Sequence, residues 1–302
     1  MEGDCRRRGR RQEAGIAARD DGGQVNPPQT SALALNLVTT RSTWGLAQAI
    51  EGCARHDIRG IAPWRDQVRA IGLKNASAAI RSHQLAVTGL CSGGRFPART
   101  ARLRKAAIQD NLRAIDEAAE LSAGCLIIVV GGLPEGSSDI AGARAQVMDG
   151  LAEVLPHARA AGVRLALEPL HPMQVSIACM NTLEQALDLC DALDPGVSGA
   201  LGVAVDVYHV WWDPKLKQQI VRAGKGRLHA FHISDWLVPT QDLFDDRGMM
   251  GDGVIDVRRI RGYMDAAGYA GMHEVELFST RWARHDPDKL LKIIKRRHRR
   301  FC

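Results

Sequence analysis

"VAVDVYHVWWDP", residues 203–214, opens as an apolar run of valine and alanine. It places Asp206 at the end of that run and His209 one helical turn further on, then reaches Pro214. A run rich in β-branched residues favours a buried strand. Pro214 suits the first turn of a helix, where the amide proton it lacks has no intrahelical use. The stretch therefore reads as strand, then helix, with an acid, Asp206, at the strand's exit. A charge at that point needs a reason, and the rest of the chain repeats the pattern.

From Ser31 onward, short apolar runs alternate with amphipathic segments. The runs are "LALNLVTT" (33–40), "IRGIAPWR" (58–65), "LAVTGLCSGG" (85–94), "CLIIVVGG" (125–132), "VRLALEPL" (163–170), "LGVAVDV" (201–207), "LHAFHISD" (228–235) and "MHEVELFS" (272–279). Between them lie helical patterns such as "QVRAIGLKNASAAIRSHQ" (67–84) and "ARAQVMDGLAEVLPHARAAG" (143–162). Strands alternating with helices predict parallel βαβ units, closed either as an open doubly wound sheet or as a barrel. An open nucleotide-binding sheet would place a GxGxxG turn after an early strand; "GLCSGG" does not fit it. Eight strands with polar residues at many exits favour an α/β fold of the (β/α)8 TIM barrel type. No composition break divides residues 31–302, so they read as a single barrel domain.

In such a barrel the chemistry gathers where the strands end, at one mouth. Strand five ends in Glu168 and strand six in Asp206, with His209 one turn on. Strand seven ends in His232, then Asp235, and strand eight in Glu276. Two Glu, one Asp and one His form a hard, mixed oxygen and nitrogen set that suits Mn²⁺, Mg²⁺ or Co²⁺, with Zn²⁺ also admissible. Three carboxylates in one site repel unless a cation neutralises them. Taken singly, each has an ordinary structural use as a helix cap, an ion-pair partner or a satisfied core histidine.

Composition narrows the class. With 45% hydrophobic and 25% charged residues the chain is an ordinary globular protein. No apolar run approaches the ~18 residues of a membrane helix. Residues 1–30, with "CRRRGRRQEAG" and "NPPQT", lack hydrophobic periodicity and read as a disordered tail. The net charge of +6 resides in "KIIKRRHRR" (292–300); without its six basic residues, 34 basic face 34 acidic side chains. A basic end on a terminal helix is an ordinary solvated face, which weighs against nucleic-acid binding. Seven scattered Cys without a CxxC, and no secretory signal, point to a reducing, cytoplasmic setting.

The order "LALEPLHP", "VAVDVYH", "FHISDW" and "GYAGMHEVELFS" resembles the xylose isomerase-like superfamily of sugar phosphate isomerases and epimerases over roughly residues 31 to 300. That superfamily includes ketose 3-epimerases, hydroxypyruvate isomerase and myo-inosose dehydratase-like proteins, and is a cousin of the endonuclease IV repair barrels. The resemblance implies that Glu168, Asp206, His232 and Glu276 bind one divalent metal. It also implies that His209 completes an Asp-x-x-His pair reaching the substrate or orienting a ligand, and that Arg247 contacts substrate. It selects Glu276 over Glu274, which shares its strand face and stays a deeper alternative.

A metal chelated by a carbonyl and its neighbouring hydroxyl would stabilise the enediolate left when a proton is removed beside the carbonyl. Glu168 and Glu276 would then serve as the acid/base pair. An isomerase or epimerase of a sugar, cyclitol or keto-acid is the expected enzyme. A dehydratase on the same site is the alternative, and a nuclease or a non-catalytic barrel comes behind. A multi-zinc nuclease would need extra His at the exits of strands two and three, but "APWRD" and "GLCSGGRF" hold none, and His56 and His83 precede strands.

Trp64, Trp211, Trp212 and Trp236 lie beside exits where they could pack on a sugar or plug the barrel. His171 and Asn36 are further candidates for the pocket. Arg65 could meet an anion or pair with a neighbouring helix, and "GGLPEG" (131–136) reads as a plain loop rather than a phosphate cradle. With no basic phosphate cup, an unphosphorylated sugar, keto-acid or inositol derivative fits as well as a phosphate ester. A small sugar-like substrate is the expected partner, with self-association open.

Overall fold

Buried apolar runs must satisfy their backbone amides with one another, and strands joined through a helix can do so only in parallel. The computed structural model describes residues 32–302; the tail expected over residues 1–30 lies outside the described residues. The first third of the fold holds β1 (Leu33–Asn36), α1 (Leu46–Arg55), β2 (Gly60–Ala62), α2 (Arg65–Ile71), α3 (Leu73–Ser82), β3 (Ala86–Val87) and β4 (Leu90–Gly94). Next come α4 (Ala101–Glu120), β5 (Leu126–Val129), α5 (Ile140–Ala161), β6 (Leu165–Leu167) and α6 (Leu183–Leu193). The last third holds β7 (Leu201–Asp206), α7 (Val207–Val210), α8 (Leu216–Arg227), β8 (Leu228–Ile233), α9 (Val257–Ala266), β9 (His273–Val275) and α10 (Pro287–Phe301). None of the described helices is long and apolar enough to cross a membrane.

The nine strands form one parallel sheet in the order β3-β2-β1-β9-β8-β7-β6-β5-β4. Its two outer members, β3 and β4, are consecutive halves of a single predicted run, so the barrel closes through a strand broken at Thr88–Gly89. The first half stays on β2, with Thr88 N donating to Ile61 O at 2.9 Å, and the second joins β5, with Leu90 N donating to Cys125 O at 2.9 Å. Eight predicted runs thus become nine strands of one (β/α)8 barrel. The helix expected over 67–84 is also two, because Gly72 at φ +86° leaves the helical region and separates α2 from α3.

Leucine, isoleucine and valine fill the space between the strands and the surrounding helices; each such side chain fully buried contributes roughly 1.5–3 kcal/mol. Inside the barrel the residues are smaller: Ala62, Cys91, Cys125, Ile127, Ala166, Ala204 and Ala230. Ala166, Ala204 and Ala230 lie two positions before Glu168, Asp206 and His232, on the same strand face. A floor of small side chains leaves room for large polar ones above it. The six described cysteines are all buried and free.

At the opposite end, Val203 aligns with Leu228 but Ala204 with Ala230, so His229 is a bulged extra residue. Its neighbours in kind are His273 and His298, whose Nδ1 and Nε2 lie 3.0 Å apart. Burial holds His229 and His273 down at about 4 and His298 at about 3. An imidazole depressed in this way takes its proton more readily when unfolded, at about pH 6.5. Stability should therefore be complete above that pH and fall as pH drops through 6.5 toward 4. Calorimetric melting between pH 7.5 and 4.5 checks this, and a flat profile would contradict it.

Candidate active site

Asp206 closes β7, and its carboxylate has two tasks. Oδ1 accepts the backbone N–H of Tyr208 at 2.9 Å, capping α7. The cap turns the chain so that His209 follows on the same side, its Nε2 3.6 Å from Oδ2. Across the sheet Asp206 is level with His232, and His232 with Glu274. Glu168 and Glu276 each sit one residue beyond β6 and β9. One potential ligand atom from each of Glu168, Asp206, His232 and Glu276 falls within 4.8 Å of the other three, and all four side chains are buried. The four residues singled out at strand exits thus converge on one point, and they could hold a metal.

The donor set is chemically suited to such an ion. His232 Nδ1 lies 2.8 Å from Glu168 Oε1 and 3.6 Å from Glu276 Oε2, so that nitrogen faces the cluster. Its Nε2 points the other way, 3.4 Å from Glu274 Oε1. Metal-binding histidines commonly turn their second nitrogen to a carboxylate, which fixes ring orientation. Glu274, the deeper alternative of the sequence reading, occupies that supporting place one layer below. Thr88 Oγ1 and Asn36 Nδ2 donate to it at 2.6 and 2.8 Å, and the same Asn36 nitrogen reaches Glu276 Oε1 at 2.9 Å.

Four buried carboxylates face few cations, and their electrostatics follow. Burial pushes Glu168 up to about 7 against the pull of His232, and burial likewise raises Glu274. Burial would lift Asp206 too, but Arg247, His209 and His232 outweigh it and hold the group at about 2. His232 goes the other way: burial lowers it, yet Glu274, Glu168 and Glu276 carry it well above the ordinary imidazole value. Burial draws His209 down to about 3, so it is neutral.

Arg247 is buried among these groups. One guanidinium nitrogen donates to Asp206 Oδ2 at 2.8 Å and Glu276 Oε2 at 3.1 Å, and the other lies 3.0 Å from His209 Nε2. Its plane packs on Tyr208 and Phe278. Asp235 sets this loop, accepting the backbone N–H groups of Trp236, Gly251, Gly253 and Ile255 at 2.8–2.9 Å. It organises the segment that carries Arg247 and stands outside the cluster.

Above the cluster lies a cavity of about 190 Å³, lined by Glu168, His209, Arg247 and Glu276 together with Trp64, Arg95 and Phe278. Pockets for drug-sized ligands run about 300–1,000 Å³, so the guest here is compact. A larger cavity, about 550 Å³, opens at the N-terminal end of the barrel between Arg164, Lys225 and Tyr269. It contains none of the four clustered residues, two of which, Glu168 and Glu276, line the smaller one.

The remaining expected residues divide. Trp64 lines the cavity and donates its indole N–H to Asn36 Oδ1 at 2.8 Å. His171 does not line it: its ring stacks on Trp236 at 4.8 Å and its backbone N–H donates to His209 Nδ1 at 3.2 Å. Trp211 and Trp212 join that aromatic group beside the cavity. Arg65 pairs with Asp110 and Glu117 of α4, the neighbouring-helix option. Gly132 packs its backbone against Ser176, where a Cβ would lie 2.2 Å from a carbonyl oxygen, so that stretch is a packed loop. His56 and His83 cap α1 and α3, away from the mouth. Sequence reading passed over Thr88 and Arg95; the first was hidden inside an apolar run, and the second is the first residue past β4, where only histidine was sought.

Comparison with known proteins agrees with this fold. A family model described as xylose isomerase-like TIM barrel matches residues 46–297. A Sinorhizobium meliloti 1021 protein of known crystal structure is 55% identical at a TM-score of 0.88, covering 91% of this chain and 99% of its own. The IolI protein, crystallised with a zinc atom, superposes at 0.75 with 20% identity over 88% of this chain and 96% of its own. D-psicose 3-epimerase, crystallised in the presence of D-fructose, superposes at 0.72 with 15% identity over the same two shares, 88% and 96%. No curated protein matches the chain.

If Glu274 orients His232, Glu274→Gln should weaken Mn²⁺ or Zn²⁺ binding about tenfold to hundredfold. Titration calorimetry measures it, and unchanged affinity would show that His232 needs no such partner.

Proposed function

The chain belongs to the xylose isomerase-like TIM barrel family, and from that premise we propose that it is a divalent-metal-dependent isomerase or epimerase of a sugar, cyclitol or keto-acid. The observation that carries the proposal is the convergence of Glu168, Asp206, His232 and Glu276 beneath a compact cavity. IolI with its zinc and D-psicose 3-epimerase, which share the fold, are the relatives whose chemistry the reading extends to this chain.

Such reactions begin with loss of a proton from the carbon beside a carbonyl. A divalent cation held by the four side chains supplies Lewis acidity that lowers the energy of the resulting negative charge. Mn²⁺, Mg²⁺ and Co²⁺ suit the oxygen-rich set best, with Zn²⁺ admitted by the histidine. The protein's own groups divide the proton work. Both oxygens of Glu276 accept N–H groups, from Asn36 and from Arg247, which fixes its direction at the cavity wall, where it would act as base. Glu168 has only His232 on Oε1 and lines the same cavity as Glu276. It is the conjugate acid that returns a proton. His209 and Arg247 border the same cavity and are placed to bind hydroxyl or carbonyl oxygens. Trp64 offers a flat apolar wall to the C–H face of a sugar.

Glu276→Gln and Glu168→Gln should each lower turnover by about 10²–10⁴ while leaving the melting temperature nearly unchanged, since mouth residues add little core packing. NMR in D₂O, with ketoses, inososes and 2-keto-acids and each of the four metals, should show solvent deuterium entering a substrate C–H. Turnover without deuterium entry and without metal dependence would overturn the proposal.

A further inference from the structure

Five non-glycine residues among those described have a positive φ: Asp57, Gln84, Arg95, Ser122 and Val197. Three of them stop helices. Asp57, Gln84 and Ser122 stand two residues past the last helical residue of α1, α3 and α4. The residue after each closes the turn, as Ile58 N donates to Cys53 O at 2.9 Å, Leu85 N to Ile80 O at 3.2 Å and Ala123 N to Ala118 O at 2.9 Å. Val197 lies in the turn after α6. Arg95, at φ +56°, follows a strand instead and ends no helix. The left-handed region is disfavoured for a long side chain, so its use at a cavity wall calls for a reason.

The backbone around Arg95 is held from both sides. Asn111 brackets the preceding residue: its Oδ1 accepts Gly94 N–H at 2.6 Å and its Nδ2 donates to Gly94 O at 2.8 Å. Arg95 N and Phe96 N donate to Val129 O and Val130 O, each at 2.9 Å. The Phe96 ring fills the space left by Gly150, where a Cβ would lie 2.3 Å from it. The conformation is thus imposed by its surroundings, and the residue it presents lines the cavity that holds Glu168 and Glu276. Arg65 and Arg247 are each paired with two carboxylates; the Arg95 guanidinium has no hydrogen bond or ion pair among the described residues.

We propose that Arg95 determines specificity, selecting substrates that carry a carboxylate or phosphate at the end remote from the metal-binding cluster. The inference rests on the isomerase or epimerase reading of that cluster and names its substrate class. Guanidinium presents N–H donors in a fork that matches either anion. The charge layout gives the guest a direction. An anionic end is repelled by the carboxylates gathered on the β6 to β9 side and drawn to the β4 side, which leaves the uncharged carbonyl and hydroxyl end over the cluster. Arg247 does not compete for that anion, because Asp206 and Glu276 already engage it.

Calorimetry on the full chain with Mn²⁺ would compare a neutral ketose, D-fructose, with D-fructuronate and D-fructose 6-phosphate, which carry the same C2 carbonyl and an anion at C6. The wild type should bind at least one anionic guest about tenfold or more tighter than D-fructose, and which one identifies carboxylate or phosphate as the source. In Arg95→Met the ratio of anionic to neutral affinity should fall to about one, with partial recovery in Arg95→Lys. Equal binding of all three guests, no binding of either anion, or a ratio that survives Arg95→Met would overturn the assignment. The measurement does not depend on turnover. Arg95-dependent anion binding without deuterium exchange would sustain this inference and sink the catalytic one; exchange into a neutral ketose, with a charge ratio indifferent to Arg95, would do the reverse.

Discussion

Four carboxylates, those of Glu168, Asp206, Glu274 and Glu276, are buried in the mouth and throat of one small barrel. Like charges out of water repel strongly, and much of the local structure answers that constraint. Asn36 bridges Glu274 and Glu276 with one amide nitrogen, Thr88 holds the far oxygen of Glu274, and Arg247 spans Asp206 and Glu276. His232 stands between the two tiers, one nitrogen toward Glu168 and the other toward Glu274. Each carboxylate is thereby given a partner and a fixed direction, which a shared ion would require of its ligands.

The same constraint accounts for the loop after β8. A permanent cation is needed at the centre, and a buried arginine must be delivered on a rigid backbone. Asp235 supplies the rigidity by gathering four backbone N–H groups onto one carboxylate, while Arg247 N–H donates to Phe278 O at 2.9 Å. Aromatic faces on both sides of the guanidinium complete its seat. His171 belongs to this supporting work rather than to the cavity, since its backbone positions His209 and its ring joins the stack on Trp236.

The alternation of apolar runs and helical patterns was enough to read the barrel, and strand exits were enough to single out Glu168, Asp206 and His232, while the family resemblance chose Glu276 over Glu274. Both rest on short-range periodicity, which sequence carries directly. What escaped depends on register and depth. Glu274 and Glu276 are equivalent by alternation; only the pairing of Glu274 with His232 places the first a layer lower. The break at Thr88–Gly89 leaves the apolar run intact, so nothing local marks where the strand changes partner. The tryptophans near exits looked alike, yet Trp64 faces the cavity and Trp236 packs on Tyr208 and His171. Arg95 was visible in "GGRF" but uninformative until its backbone conformation was known.

The barrel is open at both ends, and the two cavities come within one side chain of each other. Glu274 forms part of the wall of the N-terminal cavity and, through Asn36, touches Glu276 in the upper site. Around it the floor consists of alanines, cysteines and Ile127, with no other charge among the cluster's residues. A larger side chain at Ala166, Ala204 or Ala230 would close the throat more completely but would crowd Glu168, Asp206 or His232 two positions on. Small residues therefore leave room for the clustered side chains, and Glu274, accepting from Thr88 and Asn36, fills what they leave open. Glu274 lies beside His232 and on the wall of the N-terminal cavity, so its cost in desolvation is tied to two places rather than one.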